Sequence, residues 1–253
     1  MLDIERQEKI LKIIKERQNV TTKELQSLVF ASSSTIIRDL IKMENQGLIR
    51  RTHGGASIVV GKDIESSLVI RVKTNIKEKN RIARCAIQYI KNDDVIFLDS
   101  SSTVQALIPF LKDLHYLTII TNGLNNALLL ANESNASIYF IGGMVSTNSN
   151  SAIGSIAINT LEQFNANIAI FSASGIKGNM ITEHSIEQAN VKKVMIQQSK
   201  IKILLCDSSK FNVIHLAKID SFENIDYFIT DKEPPEDIIN ALISTNCKLI
   251  IAE

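Results

Sequence analysis

The stretch Ser32-Ser33-Ser34-Thr35-Ile36-Ile37-Arg38-Asp39-Leu40, with its continuation to Met43, decides how the first part of this chain folds. Ile36, Leu40 and Met43 recur at spacings of four and three, which predicts a helix with one buried apolar face. Ser32 stands where an N-cap is expected, and Gly47 stands where a helix ends. The opposite face of the helix would present Ser33, Ser34, Ile37 and Arg38.

That outer face carries side chains that can read DNA. Serine and threonine hydroxyls bond phosphates or base edges, and an arginine can bind guanine through two hydrogen bonds. The alternative is a capped surface helix whose arginine contacts only solvent. These nine residues alone leave both interpretations open.

Two further helices are expected before this one. The first begins near Asp3, and the second is short, capped by Thr21 or Thr22, with Leu25 and Leu28 facing inward. Two short helices, a turn and a longer helix make a helix-turn-helix.

The segment from Leu48 to Ser57 alternates apolar and basic residues around a glycine pair, a pattern typical of a tight hairpin. Such a hairpin makes the helix-turn-helix winged. Its Arg50, Arg51 and His53 can bind phosphate or reach the minor groove, although a solvated basic hairpin would have the same sequence.

After about residue 75 the sequence changes to short apolar runs. A helix is expected from about Ile76 to Ile90. The runs then occur at Val95–Leu98, Leu117–Ile120, Ile138–Ile141, Ile168–Phe171, Ile203–Leu205, Tyr227–Ile229 and Leu249–Ala252. Apolar strands alternating with helices predict a mostly parallel, doubly covered α/β sheet. The sequence therefore predicts a winged helix-turn-helix domain at 1–57, a linker at 58–74 and an α/β domain at 75–253.

The composition excludes several classes of protein. With 45% hydrophobic and 22% charged residues, the chain can bury a core and is not disordered, and its net charge of +1 permits DNA binding without indicating it. Three dispersed cysteines indicate neither a disulfide framework nor a zinc site. No apolar run reaches the roughly 18 residues of a membrane span. We expect a cytoplasmic protein without a metal, a cofactor or a membrane partner.

Polar segments follow the predicted strands, which is where ligands collect on open α/β sheets. Asp99-Ser100-Ser101-Ser102-Thr103 opens a helix whose hydroxyls and free N–H groups can receive a phosphate, although ordinary N-capping gives the same pattern. Thr121-Asn122-Gly123, Gly142-Gly143, Ser174-Gly175 and Asp207-Ser208-Ser209-Lys210 follow later strands. Their convergence favours a ligand site, with Lys210 as the best cation for an anionic effector.

The motifs at residues 32–40 and 44–56 together resemble the DeoR family of bacterial transcriptional regulators. The family usually has two adjacent arginines where this chain has Ile37 and Arg38. The half from about Lys77 onward resembles the DeoR sensor domain, which is similar in fold to ribose-5-phosphate isomerases. There the family usually has Asp-x-Gly-Thr-Thr, whereas Ser101 and Ser102 replace the glycine and the first threonine here.

This resemblance implies a sequence-specific DNA-binding regulator, a repressor of carbohydrate metabolism genes that a phosphorylated sugar releases from its operator. The implied DNA-binding residues are Thr22, Ser32, Ser33, Ser34, Thr35, Ile37, Arg38, Arg50, Arg51, His53, Gly54 and Gly55. The implied effector-binding residues are Asp99, Ser100, Ser101, Ser102, Thr103, Thr121, Asn122, Gly142, Gly143, Ser151, Gly154, Gly175 and Lys210. Since one short helix reads few base pairs, we expect a homodimer or homotetramer.

Two other functions remain possible at this point. The chain can be a sugar-phosphate isomerase or deaminase with an added DNA-binding-like domain, or its α/β half can serve oligomerisation alone. Glu183, His184, Glu187 and Lys192 resemble acid/base machinery, but we expect charged residues on the exposed face of a helix to be solvated. We therefore predict no catalytic residues and no enzyme activity.

Overall fold

The computed structural model describes residues 3–45, 48–58 and 67–253. The chain divides into two compact units, Met1–Ser67 and Leu68–Glu253. Gly47, predicted to end the third helix, and residues 59–66 of the predicted linker lie outside the described residues. None of the described helices is long and apolar enough to cross a membrane.

The first unit contains three helices and a small antiparallel sheet. Its elements are α1 (Asp3–Arg17), β1 (Asn19–Thr21), α2 (Thr22–Val29), α3 (Ser33–Asn45), β2 (Ile49–Thr52) and β3 (Gly55–Ile58). β2 and β3 form the predicted hairpin, and β1 pairs with the outer side of β3. The three helices and the hairpin are confirmed. Strand β1 was not predicted, because three residues between two helices are too few for a recognisable strand pattern.

The core of the first unit uses the apolar periodicity of α3. Ile36, Leu40 and Met43 are fully buried, as predicted. Thr21 rather than Thr22 caps α2, because its hydroxyl accepts a hydrogen bond from the Glu24 amide at 3.2 Å while the Glu24 carboxylate accepts one from the Thr21 amide at 2.8 Å. This reciprocal capping box fixes the start of the helix-turn-helix.

The second unit has seven α-helices among its described residues. They are α4 (Leu68–Lys73), α5 (Ile76–Ala86), α6 (Ser102–Gln105), α7 (Leu124–Glu133), α8 (Ser155–Leu161), α9 (Ile186–Gln197) and α10 (Glu236–Ile243). Short 3₁₀ helices span Ile87–Tyr89, Ile108–Asp113, Ser208–Lys210 and Phe222–Asn224. The prediction that 58–74 is only a linker is wrong over Leu68–Lys73, since α4 belongs to this unit.

The strands of the second unit form one large and two small sheets. They are β4 (Val95–Leu98), β5 (Thr118–Thr121), β6 (Ser137–Phe140), β7 (Met144–Ser146), β8 (Ser151–Ile153), β9 (Ala166–Phe171), β10 (Gly175–Lys177), β11 (Met180–Glu183), β12 (Ser199–Leu205), β13 (Ala217–Asp220), β14 (Tyr227–Thr230) and β15 (Lys248–Ile251). The large sheet has seven parallel strands in the order β15-β14-β12-β9-β4-β5-β6. All seven predicted strands are therefore present.

Both faces of the inner strands of the large sheet are buried, which explains their continuous apolar runs. Ile96 and Leu98 of β4 point into one core, whereas Phe97 points into another. Because the strands are parallel, their carboxyl ends meet at one edge, and the polar segments that follow them gather there. The antiparallel β7–β8 hairpin and the β10–β11–β13 sheet were not predicted, since their strands have only three or four residues.

Candidate functional site

The outer face of α3 lies in solvent, as its periodicity predicted. Ser33, Ser34 and Arg38 are exposed, and 40% of the Ile37 surface is accessible. Ser32 caps the helix: its hydroxyl accepts the Thr35 amide at 3.3 Å and lies 2.8 Å from the Thr35 hydroxyl. Ser32 and Thr35 thus stabilise the helix start, while the exposed residues are available to a partner.

Asp39, next to Arg38, holds α3 in place. It is 4% exposed, and its carboxylate accepts hydrogen bonds from Arg6 at 2.6 Å and from Gln7 at 3.1 Å, both on α1. A buried, bonded ion pair of this kind fixes the orientation of two helices. Sequence reasoning missed it because the partners are 33 residues apart.

The hairpin presents its arginines outward. Arg50, Arg51 and His53 are exposed, and the Arg51 amide donates to Glu44 of α3 at 2.8 Å. The Gly54 carbonyl accepts from the Thr22 amide at 2.8 Å, which ties the hairpin tip to the start of α2. A Cβ on Gly55 would lie 2.3 Å from the Val20 carbonyl oxygen, so the packing of β3 against β1 requires a glycine at this position.

In the second unit, the residues after β4 are buried and mostly occupied by internal hydrogen bonds. The Asp99 carboxylate accepts from the Ser101 amide at 2.8 Å and from the Ser172 amide at 3.1 Å. The Ser101 hydroxyl caps the four-residue helix α6 by accepting from Val104. Asp99 and Ser101 therefore shape this loop, and α6 is only one turn long, so its dipole is weak.

Lys79 of α5 contacts the same loop and was not predicted. Its ammonium group, on a residue that is 5% exposed, donates to the Ser102 hydroxyl at 2.9 Å and to the Arg71 carbonyl. Burial, together with the nearby Lys210 and Arg71, lowers the pKa of Lys79 to about 8, although Asp207 opposes the shift. In the sequence Lys79 is one of several charged residues of a helix, which gave no signal of burial.

Lys79 and Ser102 line a cleft of about 260 Å³. Gln105, Pro109 and Leu129 form other parts of its wall. The cleft thus combines apolar side chains with a buried cation and a hydroxyl, the mixture typical of small-molecule sites. Its lining also includes the polar residues Asn80, Gln105 and Glu133.

The loop after β12 brings Lys210 to the same region. Asp207 accepts hydrogen bonds from Asn75, just before α5, at 2.9 Å and from the Ser209 amide at 3.1 Å. Lys210 is half-buried and close enough to Lys79 to lower the pKa of Lys79. Two lysines from separate elements therefore lie near one another at the carboxyl edge of the sheet, together with the buried carboxylate of Asp207.

The loop after β5 is joined to the β7–β8 hairpin. Asn122 donates to the Ala152 carbonyl at 3.3 Å, and Asn126 donates to the Asp99 carbonyl at 2.7 Å. The amide oxygens of both asparagines are buried and have no hydrogen-bond partner among the described residues. Two acceptors without donors suit a ligand that carries hydroxyl groups.

Five other predicted effector residues are buried, and they differ in the contacts that they make. Thr121 and Ser151 are buried, and their hydroxyls bond the Gly123 amide and the Ser149 hydroxyl respectively. Ser100 and Thr103 are also buried. A Cβ on Gly175 would lie 2.5 Å from the Val213 carbonyl oxygen, which makes this glycine a packing requirement.

The three remaining glycines of the prediction lie at the ends of the small hairpin. Gly142 and Gly143 are exposed between β6 and β7, whereas Gly154 precedes α8. The hairpin itself is joined to the Asn122 loop by the pairing of Gly123 with Ser151.

The expectation that Lys192 is a solvated helix residue is wrong. Lys192 and Glu183 are 4% and 2% exposed, and the ammonium of Lys192 contacts Glu183, Asp99 at 3.2 Å and the Ser172 carbonyl at 2.8 Å. Burial alone would raise the pKa of Glu183, but Lys192 and the Ser174 hydroxyl hold it well below its usual range. Glu187 is exposed, as expected.

His184 and His215 stack at the same edge, with ring centroids 3.6 Å apart. Burial, His215 and nearby cations lower the pKa of His184 to about 4, against the effect of Glu183. The His184 ring is therefore neutral at pH 7 and can act as a hydrogen-bond donor or acceptor.

Similar proteins agree with this two-part arrangement. Residues 6–60 match the DeoR-like helix-turn-helix domain, and residues 74–232 match the DeoR C terminal sensor domain. The chain is 35% identical to the HTH-type transcriptional regulator GolR of Listeria innocua, over 92% of each chain. It is 34% identical to the HTH-type transcriptional repressor GlcR of Bacillus subtilis, over 100% of this chain and 98% of the relative.

Among solved structures, a D-ribose-5-phosphate isomerase in complex with phospho-erythronic acid matches 54% of each chain with 17% identity and a TM-score of 0.41, which is too low to support an argument about activity. The two domain matches and the full-length relatives are decisive. The chain belongs to the DeoR family of transcriptional regulators.

Proposed function

We propose that this protein is a cytoplasmic repressor of carbohydrate metabolism genes that a phosphorylated sugar releases from its operator. The main observation that supports binding of a phosphorylated sugar is the buried ammonium of Lys79, which lies 2.9 Å from the Ser102 hydroxyl and close to Lys210. Relatives include the glycerol-3-phosphate regulon repressor of Escherichia coli, at 29% identity over 98% of this chain and 99% of the relative. Another relative is the L-fucose operon activator of Haemophilus influenzae. Repression, as opposed to activation, is therefore a more specific proposal than regulation itself.

The phosphate of the effector would bind the two lysines and the Ser102 and Thr103 segment. Charge-assisted hydrogen bonds from ammonium groups to phosphate are short and strong, and burial of Lys79 keeps water from competing. The sugar hydroxyls would donate to the amide oxygens of Asn122 and Asn126, which lack partners among the described residues. The site thus offers cations for one end of the effector and acceptors for the other.

The exposed face of α3 would lie in the major groove, with Arg38 as the base-reading arginine and Ile37 beside it. The hairpin arginines Arg50 and Arg51 would contact phosphate or the minor groove. Two copies would bind half-sites about 10 base pairs or a multiple apart. The effector would favour a conformation or assembly in which paired DNA-binding units no longer match this spacing.

The Lys192 network argues against the isomerase or deaminase alternative. A general base should have a pKa near the working pH. Glu183 instead has a depressed pKa and is bonded to Lys192, Ser174 and the His184 amide. This carboxylate supports the loops of the sensor unit and is a poor proton acceptor.

Calorimetric titration with paired sugars and sugar phosphates tests the proposal. A phosphorylated sugar should bind the protein and cause it to release operator DNA. Its unphosphorylated form should do neither, and the protein should turn over neither compound. If no member of a broad phosphosugar panel binds, the α/β unit serves oligomerisation alone. Turnover without operator binding would instead establish the enzyme alternative.

A further inference from the structure

One long segment of the chain has almost no charge. The protein has 28 Lys and Arg and 27 Asp and Glu, yet only Glu133 and Glu162 lie between Leu114 and Ile176. Buried strands β5 and β9 explain part of this, but the segment also supplies much exposed surface. Soluble proteins normally place charged side chains on such surface, so their absence requires an explanation.

At one edge of the large sheet this segment exposes several large apolar side chains. Five of these, which we call the charge-free face, are Tyr139 at 50% exposure, Phe140 at 39%, Met144 at 63%, Val145 at 46% and Ile156 at 64%. Because consecutive strand residues point to opposite sides of a sheet, these side chains line the rim of the edge from both sides. Large exposed apolar patches mark interaction sites. Aromatic residues and methionine are also enriched, and charges depleted, at the centres of protein interfaces.

These residues belong to neighbouring elements. A Cβ on Gly143, just before β7, would lie 3.3 Å from the Ala157 side chain, which places the start of β7 against α8 and next to Ile156. The Tyr139 ring on β6 lies 5.5 Å from the Phe164 ring, just after α8. The charge-free face is therefore built by β6, β7 and the first turn of α8.

Strand β6 also has free backbone groups. It is the last strand of the large sheet. The Ser137 amide donates to the Leu117 carbonyl just before β5 at 2.8 Å, and the Ile141 amide donates to the Thr121 carbonyl of β5 at 3.0 Å. The alternate amides of Ile138 and Phe140 therefore point away from the sheet. Edge strands without charges, prolines or bulges readily pair with another strand.

We propose that the charge-free face is the contact between two copies of this chain, with β6 of each copy facing β6 of the other across a two-fold axis. An uncharged face is electrostatically complementary to itself, because like charges do not meet across the axis. Nucleic acid would require cations on this face, and a charged protein partner would require opposite charges. A second copy of this chain is therefore the occupant that the surface chemistry fits.

Sedimentation of the full chain without DNA or effector tests this inference. The Met144→Glu, Ile156→Glu double variant should weaken self-association at least about 100-fold, because it buries charge in the contact. Ile243→Glu is the matched control, since Ile243 on α10 is 76% exposed and lies outside the uncharged segment. The control should associate like the wild type.

A second pair of variants separates backbone pairing from side-chain contact. Phe140→Pro removes the outward amide, whereas Phe140→Ala removes only the ring. Phe140→Pro should weaken association at least about tenfold more than Phe140→Ala, and this pair decides the matter if the double glutamate variant does not fold. A wild type that stays monomeric up to about 100 µM, or association that both pairs leave unchanged, would overturn the inference. Equal weakening by Ile243→Glu would also overturn it.

The result is separable from the proposed function. A protein that associates through another face can still bind operator and effector. The same variants should retain calorimetric binding of the sugar phosphate, since the charge-free face contains none of the residues assigned to the effector.

Discussion

The two candidate sites of this protein place their polar residues in opposite environments. On α3, Ser33, Ser34 and Arg38 are exposed, whereas Asp99, Ser102 and Lys79 in the sensor unit are almost fully buried. DNA is a large partner that must be met on an open surface, but a small anion is bound strongly where water is excluded. The candidate DNA-binding site therefore depends on the exposed side chains of α3, whereas the candidate effector site depends on internal hydrogen bonds that preorganise a cleft.

The largest expected effect comes from breaking the buried network of the sensor unit. Lys192→Met leaves Glu183 and Asp99 as buried carboxylates without their cation, and should destabilise the sensor unit by about 3–5 kcal/mol. Lys193→Met is the matched control, since Lys193 is half-buried beside it. Thermal unfolding followed by circular dichroism measures both. An unchanged melting temperature for Lys192→Met would show that the network contributes little.

Breaking the exposed site should affect binding rather than folding. Arg38→Ala should weaken operator binding by about 1–3 kcal/mol, with discrimination lost at one base pair of each half-site. Fluorescence anisotropy on the operator and on single-base variants measures this. A uniform loss on every sequence would make Arg38 a phosphate contact, and no loss at all would remove α3 as the recognition helix.

The buried cation should give effector binding a pH dependence above neutral pH. Lys79 is protonated below its pKa of about 8 and loses its charge as the pH rises through that value. Effector affinity should therefore fall above pH 8 by up to about tenfold per pH unit. Lys79→Arg keeps the charge and should flatten this part of the profile in calorimetry from pH 7 to 9.5. An equal decline in both proteins would exclude Lys79 as the titrating group.

The smallest expected effect concerns Ile37 on the exposed face of α3. Ile37 is 40% exposed beside Arg38, where an apolar side chain can contact the methyl group of a thymine. Replacing that thymine by uracil should cost the wild type about 0.8 kcal/mol per half-site. Ile37→Ala should lose this preference. A wild type indifferent to uracil at every position of the half-site would exclude the methyl contact.

The sequence predicts the fold well because the helical periodicity and the apolar strand runs are both local signals. The period of Ile36, Leu40 and Met43 defines α3, and the apolar runs define all seven parallel strands. It predicts the exposed site for the same reason, since the face opposite a buried stripe is known once the stripe is known. Short strands such as β1 and β7 were missed because three residues are too few to show a recognisable strand pattern.

The buried site is predictable only in outline. The strand ends place Asp99 and Lys210 at one edge, but hydropathy makes any lysine look exposed. Lys79 and Lys192 are buried because carboxylates, carbonyls or a hydroxyl from other elements bond them, and those pairings arise only in the folded chain. Their position on helices rich in charge concealed this.

Sensing and DNA binding should use separate sites, with the effector phosphate on the Ser102 and Thr103 segment. The most direct test compares effector-driven operator release by the wild type and by a Ser102→Ala, Thr103→Ala double variant at the same salt concentration. The variant should bind operator as tightly as the wild type but require at least about tenfold more sugar phosphate for release. Equal release at equal effector concentrations would contradict this account.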